Sequence, residues 1–215
     1  MRIKTIAVKF LILCAVSAVF PLLAQDVEPK PTCNHCSAAY VPKSELDAYN
    51  QRAIEHKLVD QQVRLMDIGK MQVGIGSIYR GKLGHAEGLE NQVAEAVAEH
   101  EQVSEVYYVI EGSATLLTGP DLVDPKPRPS TLKTVREQNG PGFSAASIKN
   151  PETHELKAGD MIVIPAGTGH WFTKIDDHIR YVMVRLDPDR LLPTKNEAQS
   201  LKYLASPYSP NQGNF

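Results

Sequence analysis

Imidazole and carboxylate groups share protons and ligate metals at neutral pH, and two stretches of this chain set them among glycines and a proline. In the first, Ala98-Glu99-His100 is followed after four residues by Glu105 and after six more by Gly112. In the second, Gly159-Asp160 leads after four residues to Pro165, then Gly167 and, two residues on, His170. A histidine without such a setting is more often a hydrogen-bonded polar side chain than a ligand, so His56, His154 and His178 read as surface or turn residues. No second carboxylate pair or Ser/His/Asp set stands out as a catalyst. The acidic stretch Glu95–Glu101 reads as a solvated face. Cys33 and Cys36 form a third chemically capable group. A zinc site wants two more ligands than this pair supplies, although His35 between them could complete a weak one. A haem attachment needs histidine where Ser37 stands. The pair reads as a local disulfide or an idle thiol pair in a Pro-rich leader.

The elements that must position these residues are strands. Gln62 to Ile68 and Met71 to Tyr79 are β-prone runs around a Gly69-Lys70 turn. Val106 to Ile110 and Ala114 to Leu117 flank Glu111-Gly112-Ser113, which reads as another hairpin. Met161 to Ile164, His170 to Ile175 and Ile179 to Leu186 follow, the last two separated by Asp176-Asp177. Short strands divided by turn signals predict an all-β sandwich or barrel. Because side chains alternate across a strand, an inward Glu105 takes Tyr107 and Val109 with it, and an inward His170 takes Phe172 and Lys174. Tyr107, Phe172 and Lys174 are therefore the candidate pocket residues. An inward Lys174 would clamp a carboxylate substrate, and an outward one is ordinary surface charge. Residues 86–99 read as one or two helical turns or a loop over the barrel mouth. Residues 119–129, with four prolines, read as an exposed loop. Ser44-Glu45-Leu46-Asp47 resembles a helix start with Ser44 as N-cap and Asp47 reaching back.

The two stretches resemble the paired motifs of the cupin superfamily. His100, Glu105 and Gly112 match the second His, the Glu and the Gly of the first motif, while Gly159, Pro165, Gly167 and His170 match the second. Ala98 stands where the first motif has its first His, and Lys174 where the second has its closing Asn. The resemblance spans Gln61 to about Asp187. It implies a double-stranded β-helix, or jelly-roll barrel, here with a short N-terminal helix and a polar C-terminal tail. It implies a divalent metal (Fe, Mn, Zn, Ni or Cu) held by His100, Glu105 and His170, a set with open positions for water or substrate. Ala98 removes one usual ligand, so the site works with three, has lost its metal, or borrows His85. Oxygenase or isomerase chemistry on a small molecule is one implied activity, and non-catalytic binding of a small ligand at a degenerate or metal-free site is the other. Homodimers are frequent in the family.

Arg2, Lys4 and Lys9 followed by the apolar run Phe10–Leu23 read as a secretory signal with cleavage after Ala24. The run is short for a bilayer span, which needs about 20 apolar residues, and Pro21 interrupts it. The mature chain is then secreted or periplasmic, without a stable membrane anchor. Loss of the three basic residues in 1–24 takes the formal charge from −2 to −5, and nothing in the chain looks like the basic face of a nucleic-acid binder. The organisation read from the sequence is a signal over 1–24, a Pro-rich leader with a short helix over 25–60, the barrel over 61–188 and the tail over 189–215.

Overall fold

The computed structural model describes residues 32–33, 36–83 and 97–209. The signal segment, His35, His85 and residues 86–96 of the expected mouth segment lie outside these.

Two long strands organise the barrel. β1 (Asp60–Asp67) and β2 (Gln72–Leu83) are joined at the Gly69-Lys70 turn, where Gly69 takes a φ of 99° and Ile68 N–H donates to Met71 O at 2.9 Å. β3 (Val97–Ala98) precedes β4 (Ser104–Gly119), which runs on without a break, and β11 (Gly169–Asp187) lies antiparallel to it along most of its length. The remaining strands are β5 (Leu122–Val123), β6 (Lys126–Pro127), β7 (Phe143–Ala145), β8 (Ser147–Ile148), β9 (Glu152–Lys157) and β10 (Met161–Ile164). One sheet runs β1-β2-β11-β4-β10 through the first half of β4 and the second half of β11. The other joins β9, the second half of β4 and the first half of β11 to β3, β7 and β6.

The hairpin expected at Glu111-Gly112-Ser113 is therefore a bend inside one strand. Gly112 has φ of 77°, and a Cβ there would lie 2.0 Å from His178 O. Glycine is used for close approach to β11, not for reversal. Asp176-Asp177 likewise loops out of register between Lys174 and Ile179 without ending β11. Turn-forming residues and bulge-forming residues are the same types, which is why the sequence reads as four strands where there are two. Residues 119–129 carry β5 and β6, with Pro127 on an edge strand where no donor is required.

The main core lies between the sheets, built from inward residues such as Ile78, Tyr107, Leu116, Phe172, Ile175, Ile179 and Tyr181. The outer face of β1 and β2 is covered by α1 (Lys43–His56) and α2 (Glu197–Ala205). α1 starts one residue before Ser44, with Pro42 at the N-cap and no side-chain cap; Asp47 instead pairs with Lys43 and Arg180. Its buried face is Glu45, Tyr49, Arg52 and Ala53 rather than an apolar stripe. α2 has a capping box between Asn196 and Gln199. The expected polar tail thus packs: Tyr203 stacks on Tyr49 at 5.6 Å, and Lys195 bridges its backbone to Leu65 on β1. Cys33 and Cys36 are disulfide-bonded, with Cα atoms 5.7 Å apart. Among the described residues no helix is long and apolar enough to cross a membrane.

Candidate metal centre

His100, Glu105 and His170 arrive from three elements. His100 follows β3, and its carbonyl accepts from Gly167 N–H at 2.7 Å, which ties it to the turn between β10 and β11. Glu105 begins β4 and lies opposite Ile164 and Arg185. His170 begins β11 opposite Ala98 and Thr118. Each of the three offers a ligand atom within 4.8 Å of the others, and all three side chains are buried. His100 Nε2 is 3.5 Å and His170 Nε2 3.7 Å from the Glu105 carboxylate. The group opens on a cavity of about 60 Å³, shared with Ala98, Tyr107, Arg80 and Asp60. Ala98, standing where a further histidine is expected, faces this cavity.

Glu105 is anchored from two sides. Tyr107 OH donates to its Oε2 at 2.7 Å, and Arg185 Nε lies 3.4 Å from its Oε1. Arg185, fully buried, also bonds Gln62 at 2.8 Å, Asn139 at 3.1 Å and Asp60. Burial opposes the charge on Glu105, but His100, Arg185, His170 and the Tyr107 hydroxyl hold its carboxyl down to about 2. Burial pushes His100 down to about 3, against the pull of Glu105, and lowers His170 in the same way. Two neutral imidazoles and an ionised carboxylate are the protonation states that metal ligands require.

The donor set fits a divalent ion. Two nitrogens and one oxygen suit Fe, Mn, Zn, Ni or Cu, and an ion held by these three residues would keep positions free for water or substrate. At His170, Nδ1 faces Thr168 O at 3.2 Å, which assigns its proton to Nδ1 and its lone pair to Nε2.

The three pocket residues read from strand alternation separate. Tyr107 lines the cavity. Phe172 is core, packed against Tyr107 and Tyr181 with the Arg80 guanidinium 4.8 Å above its ring. Lys174 points to solvent and pairs with Asp176 at 3.1 Å. The register slips between Phe172 and Lys174, where two β11 steps face one on β4. That bulge reverses the alternation, so Ile175 turns inward and Lys174 outward. Glu99, expected on a solvated face, is buried and accepts from Phe143 N–H at 3.1 Å; burial raises its pKa. Arg128, Arg185, Arg80 and Asp60 were not singled out in the sequence. For Arg185 a signal exists, since it shares strand parity with Tyr181 and Met183. Arg128 sits in a Pro-rich stretch without periodicity and gives none.

No family model and no curated protein matches the chain. Among solved structures, a protein of Bacillus halodurans is similar at 15% identity, covering 76% of this chain and 92% of that one, with a TM-score of 0.39. An RmlC-like cupin family protein with a double-stranded β-helix fold from Methanocaldococcus jannaschii is 13% identical over 62% of this chain and 85% of its own, TM-score 0.33. The DMSP lyase DddQ from Ruegeria pomeroyi is 13% identical over 62% and 51%, TM-score 0.34. β4 and β11 each pass from one sheet to the other, with Gly112 at the bend of β4 and His100, Glu105 and His170 brought together inside, which is the double-stranded β-helix fold expected from the sequence.

Proposed function

We propose that this chain is an exported metal-binding cupin that acts on a small molecule, with His100, Glu105 and His170 as the ligands. The observation that carries this reading is the buried His–Glu–His group, whose ligand atoms converge within 4.8 Å beside a cavity. A bound divalent ion supplies Lewis-acid polarisation of a substrate oxygen or activation of a small oxygen ligand, the chemistry behind isomerase- and oxygenase-type activity. The chain's own residues do the rest. Tyr107 and Arg185 fix the Glu105 carboxylate, Thr168 O fixes the His170 ring, and the tightness of the cavity favours substrates of few atoms.

Elemental analysis of the purified protein beside His100→Ala and His170→Ala tests this. About one equivalent of a transition metal in the wild type, lost in both variants, supports the reading. A wild type that stays metal-free after reconstitution sinks it. Ala98 on the cavity wall and the prior engagement of Glu105 by Arg185 favour a second reading, a small-ligand-binding barrel without turnover. Metal-dependent conversion of any screened substrate eliminates that alternative.

Export rests on the residue pattern of 1–24, and N-terminal sequencing of the chain from a periplasmic fraction should begin at or near Gln25. Homodimerisation is supported by the outer face of β4 and β10. There Tyr108, Ile110, Met161 and Val163 are exposed, and β10 pairs with β4 alone among the described strands. A partner burying that face also covers the β10 edge.

A further inference from the structure

We infer that Arg128 is a positioning residue that holds His100 in the tautomer unable to ligate a metal through Nε2, so that His100 joins the centre only when this guanidinium withdraws. The inference rests on the metal reading above for its consequence, but its premise is hydrogen-bond geometry alone.

Arg128 Nη2 lies 2.8 Å from His100 Nδ1 and also bonds Glu99 O. A guanidinium carries only donors. Nδ1 must therefore be the acceptor, and the single proton of the neutral ring must sit on Nε2. That Nε2–H faces Glu105 Oε1 at 3.5 Å, which is a donor directed at a carboxylate and not a lone pair directed at an ion. The two histidines of the centre are thus set oppositely. At His170 the carbonyl of Thr168 takes the Nδ1 proton and frees Nε2. At His100 a cation occupies the place where ligating histidines ordinarily meet a carbonyl or carboxylate.

The seat of Arg128 is built into the backbone. Its N–H donates to Gly142 O at 2.9 Å, and Gly142 itself has no room for a side chain: a Cβ there would stand 2.0 Å from Glu99 O and 2.6 Å from Arg128 Nη2. The bare backbone of Gly142 is what lets the guanidinium reach Glu99 and His100 together. The seat is also imperfect, because Arg128 Nε is buried without a hydrogen-bond partner. A group held mainly through one nitrogen, next to an edge strand of two residues, is the moving part in a centre whose other supports are β-strands. With Arg128 seated, Glu105 and His170 alone present lone pairs; with Arg128 withdrawn, the Nδ1 proton can be placed and the third ligand is complete.

Long-range ¹⁵N–¹H correlation spectra of the chelator-stripped protein at pH 7.5, assigned with His100→Gln and His170→Gln, read the two tautomers without any metal. The expected pattern is a protonated Nε2 at His100 and a protonated Nδ1 at His170. Cobalt(II) titration then follows the consequence. Arg128→Gln, whose amide oxygen can accept from Nδ1–H, and Arg128→Met should each bind cobalt at least tenfold more tightly than the wild type. A wild-type His100 with its proton on Nδ1 overturns the inference and leaves the metal reading intact, as does a cobalt affinity unchanged or weakened in both Arg128 variants. The expected tautomers with no cobalt bound by any of the proteins overturn the metal reading instead, and the gating role with it.

Discussion

The protein buries charge in two places, and the two are built differently. On the outer face of β1, Glu45 accepts from Arg64 at 2.6 and 2.9 Å and from Ser200 at 2.6 Å, while Lys195 donates to Tyr49 OH and Gln62 O. These residues join α1, β1 and α2 across some 150 positions of sequence, and their polar atoms point at one another. In the barrel, Glu105, His100 and His170 are equally buried, but part of their hydrogen-bonding capacity points into a cavity. The outer cluster uses polar residues as mortar between elements. The inner one leaves them lining open space. Burial alone does not distinguish structural from functional charge; the direction of the remaining lone pairs does.

Substitutions on the two sides should therefore separate stability from binding. Glu45→Ala leaves the Arg64 guanidinium buried without its carboxylate and should cost about 3–5 kcal/mol, measured by denaturant unfolding, while the folded fraction keeps its metal. His170→Ala should do the reverse. Metal content falls from about one equivalent to none by elemental analysis, and stability of the metal-free protein changes by only about 1 kcal/mol, because His170 has few partners to abandon.

Acid should sharpen the contrast. His100 and His170 have pKa values depressed below 6.5, and Glu105 is depressed below 4.5. In each case the unfolded chain binds protons that the folded one refuses, so stability is present at neutral pH and is lost as pH falls from about 6.5 toward 3. The metal-free protein should lose on the order of 1 kcal/mol per pH unit in that window. His170→Ala should flatten the slope, and Glu45→Ala should leave the part of the slope due to the barrel histidines in place. On the exposed face of β10, Met161→Glu should shift sedimentation from dimer to monomer without touching metal content. Lys174→Ala should change stability by less than about 0.5 kcal/mol and leave binding of small acids unaltered.

The fold and the converging residues were legible because strand patterning and the motif spacings operate over short range. Glu105 and Tyr107 share a face simply by being two apart, and Gly167 and Pro165 announce a turn. What was illegible depends on register between distant strands. The slip at Phe172/Lys174 has no local signature, so alternation alone left Lys174 open between an inward and an outward position. The buried face of α1 was hidden because its partners, Arg64 and Ser200, are polar residues brought by other elements. Arg128 reaches His100 only through the side-chain-free approach of Gly142 to Glu99. No window of sequence contains that contact.

The bond from Gly167 N–H to His100 O makes the two motif segments one mechanical unit. The turn that launches His170 also grips the peptide that carries His100, so the spacing of the two rings is set by main chain and resists side-chain repacking around them. A displacement of the β10–β11 turn by a ligand entering the cavity would be felt at both imidazoles at once. The pair of rings is therefore built to keep its gauge, and adjustment to whatever enters the cavity falls to the side chains around it.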